Sequence, residues 1–186
     1  AFTTEKIDVE PWFDMELFMG VSQETRLGGD VKDRFMTLWK NWLPHLTVKG
    51  IDTAKIKYLL VALDESVEQD VDKAWESSPS NAFLYNALAQ TMCMAAVHAV
   101  IPEVQDAGCA PAPKPTATLR EALEAEGIPY SNDKDPILSR RYAVVTHYPF
   151  KGGCEICVLQ SNCPKGQGQM EATSVVLPGY EHPQQM

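Results

Sequence analysis

Three cysteines within ten residues constrain the fold of this chain more than any other feature. Cys154, Cys157 and Cys163 are spaced C-x2-C-x5-C and follow Gly152-Gly153. Both sulfurs of a C-x2-C pair can reach one centre, and the longer gap carries the third sulfur around it, which suits a cuboidal iron–sulfur cluster bound by thiolates. The two glycines permit the backbone turns that such a loop needs. The sequence therefore predicts a C-terminal loop that binds one 4Fe-4S cluster.

A four-iron cluster needs a fourth ligand, for which the sequence offers several candidates. Cys109 is favoured because it follows a glycine and precedes a proline-rich connector that could fold it back toward the C-terminal cysteines. His147 is the alternative, since imidazole replaces thiolate on one iron of Rieske centres. Cys93 ranks third, because a cysteine between two methionines in an apolar helix is usually a packed core residue. An iron left open to a small molecule is a further arrangement.

Two other interpretations of the cysteine run compete with the cluster. His147 and the three cysteines form a Cys3His set for zinc, although structural zinc sites usually pair two knuckles separated by a longer stretch. A redox-active Cys154–Cys157 dithiol is the other, and it leaves Cys163 and the glycine pair without a role. We rank zinc second and the dithiol third.

Composition predicts a cytoplasmic protein without membrane insertion. The chain has 186 residues, 45% of them hydrophobic, enough for one good-sized core. The longest apolar stretch, residues 92–101, is ten residues long, whereas a membrane-spanning helix needs about 20. The charged N-terminal segment lacks the apolar region of a secretion signal. Five cysteines, an odd number, match a secreted disulfide framework poorly.

Charge is unevenly distributed along the chain. The net charge of −9 opposes contact with a nucleic-acid backbone, so nucleic acid is an unlikely partner. Residues 137–170 hold four cations and one anion, a balance of +3, which leaves −12 for the remainder. This local excess could offset thiolate charge on a cluster or dock an acidic partner, and an ordinary mixed surface explains it equally well. The cations are Arg140, Arg141, Lys151 and Lys165, and the anion is Glu155.

Apolar periodicity predicts a mainly α fold, an irregular helical bundle with the metal-binding loop and room for one or two short strands. Helices are expected from residue 11 to 20, 31 to 43, 52 to 63, 67 to 75 and 81 to 101, with further helices near 118–127 and from 136. Residues 143–146 are a candidate strand or the last buried turn before the cysteine loop, and residues 174–177 are a candidate strand. Residues 1–109 form the predicted helical core, 110–117 an Ala/Pro-rich connector, and 118–186 a C-terminal segment, together one compact domain.

The cysteine loop also resembles that of known protein families. The segment from His147 to Cys163 resembles the cluster loop of endonuclease III-type DNA glycosylases, C-x6-C-x2-C-x5-C, with histidine in place of the first cysteine. Its last three cysteines are similar to the cluster element of CRISPR-associated and recombination exonucleases, whose remaining cysteine lies far upstream, as Cys109 does. Both resemblances imply a 4Fe-4S cluster and action on DNA. Residues 49–56 have only a faint likeness to a DNA-binding hairpin and lack its second glycine.

The sequence therefore predicts an iron–sulfur redox accessory protein: an electron carrier, a redox sensor or an assembly factor. Its partner would be a redox protein or a larger enzyme complex. A zinc-stabilised helical interaction module is the alternative, and a DNA-processing protein with a structural cluster is the third. No catalytic residue is assigned, because the chain has no Gly-rich phosphate loop, G-x-S-x-G or H-E-x-x-H motif. Whether the protein is an enzyme stays open.

Overall fold

The computed structural model of the protein describes residues 1–165 and contains both helices and strands in this part of the chain. In chain order the elements are β1 (Phe2–Lys6), α1 (Met15–Ser22), α2 (Gly29–Trp42), β2 (Leu46–Thr53), β3 (Lys57–Leu63), α3 (Glu65–Ser77), α4 (Pro79–Val100), α5 (Pro102–Ala107), α6 (Ala117–Ala125) and β4 (Ala143–His147). Short 3₁₀ turns occupy Leu43–His45, Cys154–Ile156 and Gln160–Asn162. The mainly α prediction was wrong, because the fold is a mixed α/β structure.

The four strands form one antiparallel sheet in the order β1-β2-β3-β4. β2 and β3 are joined by a tight turn, in which the Thr53 hydroxyl donates to the Ile56 carbonyl at 2.7 Å and accepts from the Ile56 N–H at 3.1 Å. β3 and β4 are also neighbours, yet α3, α4, α5 and α6 all lie between them along the chain. β1 and β4 are therefore the two edges of the sheet.

Helices cover both faces of the sheet because β3 is apolar on both faces. Alternate side chains of a strand point to opposite faces. Leu59, Val61 and Leu63 lie in the larger core with residues of α1 to α4. The other three, Tyr58, Leu60 and Ala62, lie in a smaller core with residues of α6. All six side chains are almost fully buried.

This two-sided burial explains why the helix predicted over residues 52–63 was wrong. Ile56, Leu59, Leu60 and Leu63 follow the i, i+3, i+4, i+7 spacing of a helix face. A central strand buried on both faces is a near-continuous apolar run, and such a run satisfies the helical spacing by chance. The residues instead form the β2–β3 turn and β3.

Other elements also differ from those predicted from the sequence. The N-terminal residues form β1, and the first helix begins at Met15, where the Asp14 side chain caps it by accepting from the Leu17 N–H at 3.1 Å. The helix predicted from residue 136 was wrong, because this stretch is irregular and only Leu138 makes an isolated bridge, to Tyr130. Of the two forms predicted for residues 143–146, a strand or a buried turn, the structure has the strand, as β4. The strand predicted at 174–177 lies outside the described residues.

The helices predicted over residues 31–43, 67–75 and 81–101 are confirmed as α2, α3 and α4. Ser78 caps α4, and a run of its residues from Ala87 to Val97 is mostly buried in the larger core. α4 is the one helix within residues 1–165 that is long and apolar enough to cross a membrane by length and composition, and half of its most apolar window is buried inside the protein. A core helix satisfies the same criteria.

We expect Leu60→Ala to destabilise the protein by about 2–5 kcal/mol, because it leaves a cavity at a fully buried position of the central strand. Urea denaturation followed by circular dichroism measures the change. Lys73→Ala, on the exposed face of α3, is the control and should change stability by less than about 0.5 kcal/mol. Equal midpoints for the two variants would contradict the placement of Leu60 in the sheet.

Candidate metal centre

The connector that carries Cys109 is fixed against the end of β4. Gly108 ends α5 in the left-handed conformation (φ 75°), so the chain turns away from the helix just before Cys109. Residues 110–113 that follow are buried. The Thr146 hydroxyl donates to the Pro111 carbonyl at 2.8 Å, in a fully buried position. The connector is therefore part of the folded core, and Cys109 sits at its beginning.

The three C-terminal cysteines lie on a loop made of two successive 3₁₀ turns. Gly152 has a φ of 53°, a conformation that favours glycine, and starts this loop. The Cys157 N–H closes the first turn on the Cys154 carbonyl at 3.1 Å. The Cys163 N–H closes the second on the Gln160 carbonyl at 3.3 Å. The C-x2-C-x5-C spacing thus places a cysteine at the start of the first turn and one just after each turn.

The connector and the cysteine loop meet through three hydrogen bonds. The Val158 N–H donates to the Ala112 carbonyl at 3.0 Å, and the Ala112 N–H points to the Cys157 sulfur at 3.4 Å. Farther along the loop, the Lys165 ammonium donates to the Ala107 carbonyl at 3.0 Å. The residues bonded in this way, Ala107 at the end of α5 and Ala112 in the connector, lie on the two sides of Cys109 in the sequence. We call this contact the cysteine junction.

Cys109 is electrostatically coupled to the other three cysteines of the junction. Burial is the main cause that raises the pKa of its thiol to about 11. The positive charge of Lys165 opposes this increase, whereas Cys154, Cys157 and Cys163 each add to it. Because thiolates repel one another, ionising all four together requires a positive charge among them. Metal centres supply that charge and deprotonate the thiols that bind them.

The four cysteines of the junction are a type of donor set that both zinc sites and iron–sulfur clusters use. Four thiolates binding one zinc would lie roughly 3.8 Å apart, from a Zn–S distance of about 2.3 Å and tetrahedral angles. Within residues 1–165 no three His, Cys, Asp or Glu side chains are grouped closely enough to hold a metal ion. All five cysteines lie in the described part of the chain and are free thiols.

His147, the alternative fourth ligand, has a different environment. It is the last residue of β4, and its ring lies 5.7 Å from that of Tyr58, its partner across the strands. Its Nδ1 is buried and has no hydrogen-bond partner among the described residues. Burial, aided by the charge of Lys151, lowers the pKa of its imidazole. The imidazole is thus neutral at pH 7, the form that binds metals.

Cys93, the third candidate, lies within α4 and is 1% exposed. Its sulfur contacts the Tyr142 carbonyl at 3.6 Å, and burial raises the pKa of its thiol to about 12. The junction cysteines do not contribute to that shift. The interpretation of Cys93 as a packed core residue is confirmed.

Away from the cysteines, a cluster of three polar side chains resembles a catalytic triad only in its residue types. His45, Asp64 and Ser66 are in contact, with the His45 Nδ1 2.7 Å from Asp64 Oδ2 and 3.1 Å from the Ser66 hydroxyl. In a hydrolytic triad the carboxylate and the nucleophile bind opposite ring nitrogens. Here both contact Nδ1, while Asp64 caps α3 by accepting from the Ser66 N–H at 2.9 Å. The cluster therefore stabilises the start of a helix.

Sequence reasoning missed Ala112 as part of the junction and Thr146 as the residue that holds the connector against β4. Ala112 acts through its backbone, so its side chain carries no signal of this role. Thr146 resembles any other residue of a buried strand. Both become relevant only because the fold brings the connector to the end of β4.

Comparisons of the chain with protein-family models, curated proteins and solved structures found no match.

The thiols of the metal-free protein should react in a defined order. Since the thiolate is the nucleophile, iodoacetamide at pH 8 should modify Cys154, Cys157 and Cys163 first and Cys109 more slowly. Cys93 should react only in denaturant, because it is buried and its pKa is about 12. Mass spectrometry of tryptic peptides gives the rate at each site. Modification of Cys93 in the folded protein as fast as Cys154 would contradict its place in the core.

Proposed function

We propose that the protein binds one 4Fe-4S cluster through Cys109, Cys154, Cys157 and Cys163 and acts as a cytoplasmic redox accessory protein. The observation that carries this proposal is the cysteine junction. It brings a cysteine more than forty residues upstream beside the C-x2-C-x5-C loop through hydrogen bonds of the backbone. Four thiols from two separate segments are the donor set that cuboidal clusters use.

The geometry favours Cys109 over His147 as the fourth ligand. Cys109 lies between residues that are hydrogen-bonded to the loop, and each of the three loop cysteines affects its pKa. The pKa of His147 responds to burial and Lys151 instead. His147 also faces the smaller core, where it packs against Tyr58.

The cluster would supply reversible one-electron transfer, and the protein residues around it would set how readily that occurs. The Ala112 N–H donates toward the Cys157 sulfur, and hydrogen bonds to cluster sulfurs are among the factors that determine reduction potential. The ammonium of Lys165 places a positive charge near Cys109. Both features favour the more negative, reduced state of the centre.

An accessory role follows from what surrounds the cysteines. The sequence carries one cysteine cluster and no motif for a nucleotide or flavin that could supply a second redox step. Ile156 and Val158 flank Cys157 and are about 40% exposed, so the loop presents apolar side chains at the surface. Exposed apolar side chains beside a redox centre are suited to transient contact with a protein partner.

Substituting the proposed ligands should remove the cluster. Cys157→Ser and Cys109→Ser should each reduce iron and sulfide per chain from about four to less than one and remove the broad visible absorption, because a serine hydroxyl is a poor iron ligand. Anaerobic purification followed by iron, zinc and sulfide analysis measures this. Cys93→Ser and His147→Ala are matched controls that should keep the cluster. Loss of iron from His147→Ala with retention in Cys109→Ser would show the fourth ligand to be wrong.

Metal analysis also separates the alternatives. A colourless protein with one zinc and no sulfide would establish the zinc-stabilised module and refute the cluster. Salt-sensitive binding to duplex DNA at low ionic strength would favour the DNA-processing alternative, since phosphate contacts weaken as salt rises.

The Ala112 N–H should raise the reduction potential of the centre. Ala112→Pro removes this donor, so we expect a more negative midpoint potential in an anaerobic titration followed by electron paramagnetic resonance. Ala112→Gly keeps the N–H and is the control, expected to match the unmodified protein. A potential that is the same in both variants would show that this hydrogen bond has no effect on the centre.

A further inference from the structure

The outer edge of β4 carries backbone groups without hydrogen-bond partners among residues 1–165. Leu63 N–H donates to the Tyr142 carbonyl, and Tyr148 N–H donates to the Lys57 carbonyl, so every second residue from Tyr142 to Tyr148 is bonded to β3. The N–H and C=O groups of Ala143 and Val145 therefore point away from β3. No hydrogen bond to these groups occurs among residues 1–165.

These unpaired groups are not simply exposed to solvent. Ala143 and Val145 are each only 5% exposed. Buried backbone groups are almost always hydrogen-bonded, and leaving one without a partner costs roughly 1–3 kcal/mol. The edge of β4 therefore requires hydrogen-bond partners from outside residues 1–165.

A cleft of about 150 Å³ lies along this edge and contains further unpaired polarity. Ala112 and Pro113 of the connector line it, together with Pro136, Ile137 and the β4 residues. Tyr130 also lines the cleft, and its buried hydroxyl has no partner in the described part of the chain. Alternating backbone donors and acceptors, a phenol hydroxyl and apolar walls thus share one cleft.

We propose that this cleft binds an extended, uncharged peptide segment of a partner protein, which adds as a strand to the outer edge of β4. A peptide backbone offers donors and acceptors at the spacing that Ala143 and Val145 require. The prolines and Ile137 would contact an apolar side chain of the peptide. Because the site contains none of the cysteines, this proposal does not rest on the metal proposed above, although both sites include Ala112.

Charge argues for an uncharged peptide. Arg140 and Arg141 also line the cleft, but both face carboxylates. Arg140 lies 3.6 Å from Glu65, and Arg141 lies 2.8 Å from Asp72. Their charges are balanced within the protein, so the cleft presents no net charge to a ligand.

The shape of the edge argues against a second copy of the chain as the partner that pairs with β4. Edge-to-edge pairing of two sheets needs both edges to be accessible. β4 is recessed between the connector and residues 136–138, and the same walls on a second copy would keep the two edges apart. A single extended segment can enter the cleft without this obstruction.

Selection from a displayed library of random dodecapeptides against the immobilised full-length protein supplies the probe. We expect enrichment of uncharged, β-branched sequences whose synthetic peptides slow hydrogen exchange at the Ala143 and Val145 amides, as read by NMR. Methylating the peptide amides that face β4 should weaken binding at least tenfold, the loss of about one hydrogen bond. Methylating the alternate amides, which face solvent, is the matched control and should leave affinity unchanged.

Two variants of the protein test the contribution of the Ala143 N–H to peptide binding. Ala143→Pro removes one outward N–H at the first position of an edge strand, where proline is tolerated, and should weaken peptide binding at least tenfold. Ala143→Val adds similar bulk, keeps the N–H and should bind the peptide, with thermal unfolding confirming that both variants are folded. The proposal is overturned if no peptide is enriched or if both methylation patterns weaken binding equally. Amides at Ala143 and Val145 that are already protected from exchange in the free protein would also overturn it. Sedimentation would then show whether a second copy of the chain or the same chain covers the edge of β4.

Discussion

The burial of β3 on both faces is the constraint on which the rest of the structure depends. Its alternate side chains fill two cores, so helices must cover both sides of the sheet. α4 and α5 contribute to the larger core and α6 to the smaller one, which means that the chain must cross from one face to the other between them. It crosses at the end of β4, where Pro111 is bonded to Thr146. The position of the connector is thus a consequence of the two-sided sheet.

This crossing also explains why two distant cysteine segments meet. Cys109 lies at the start of the connector, and the cysteine loop begins a few residues beyond the end of β4. The chain therefore crosses the sheet at the same end of β4 from which the cysteine loop begins. The hydrogen bonds between Ala112 and the loop then hold the two segments together. A cluster bound there would link the connector, β4 and the C-terminal part of the chain, so metal binding would stabilise the fold as well as supply redox chemistry.

The same connector forms one wall of the cleft beside β4. Ala112 contacts the cysteine loop and also lines the cleft, so the two proposed sites share a structural element. The cleft and the cysteine loop therefore lie on either side of the same connector. An accessory protein that docks a partner segment within one strand of its redox centre would hold that centre close to the partner.

The sequence by itself determined α2, α3 and α4, offered a strand as one form of residues 143–146, and indicated the burial of Cys93. These are local properties, because side-chain spacing and turn residues decide them. Only the tertiary structure decided that residues 57–63 form a strand, since a segment buried on both faces carries the same apolar spacing as a helix. It also decided that Ala112 is hydrogen-bonded to the cysteine loop, that Thr146 is hydrogen-bonded to the connector, and that β4 is an edge of the sheet. Backbone groups and sheet edges act through their position in space, and no side-chain pattern records where a chain will cross its sheet.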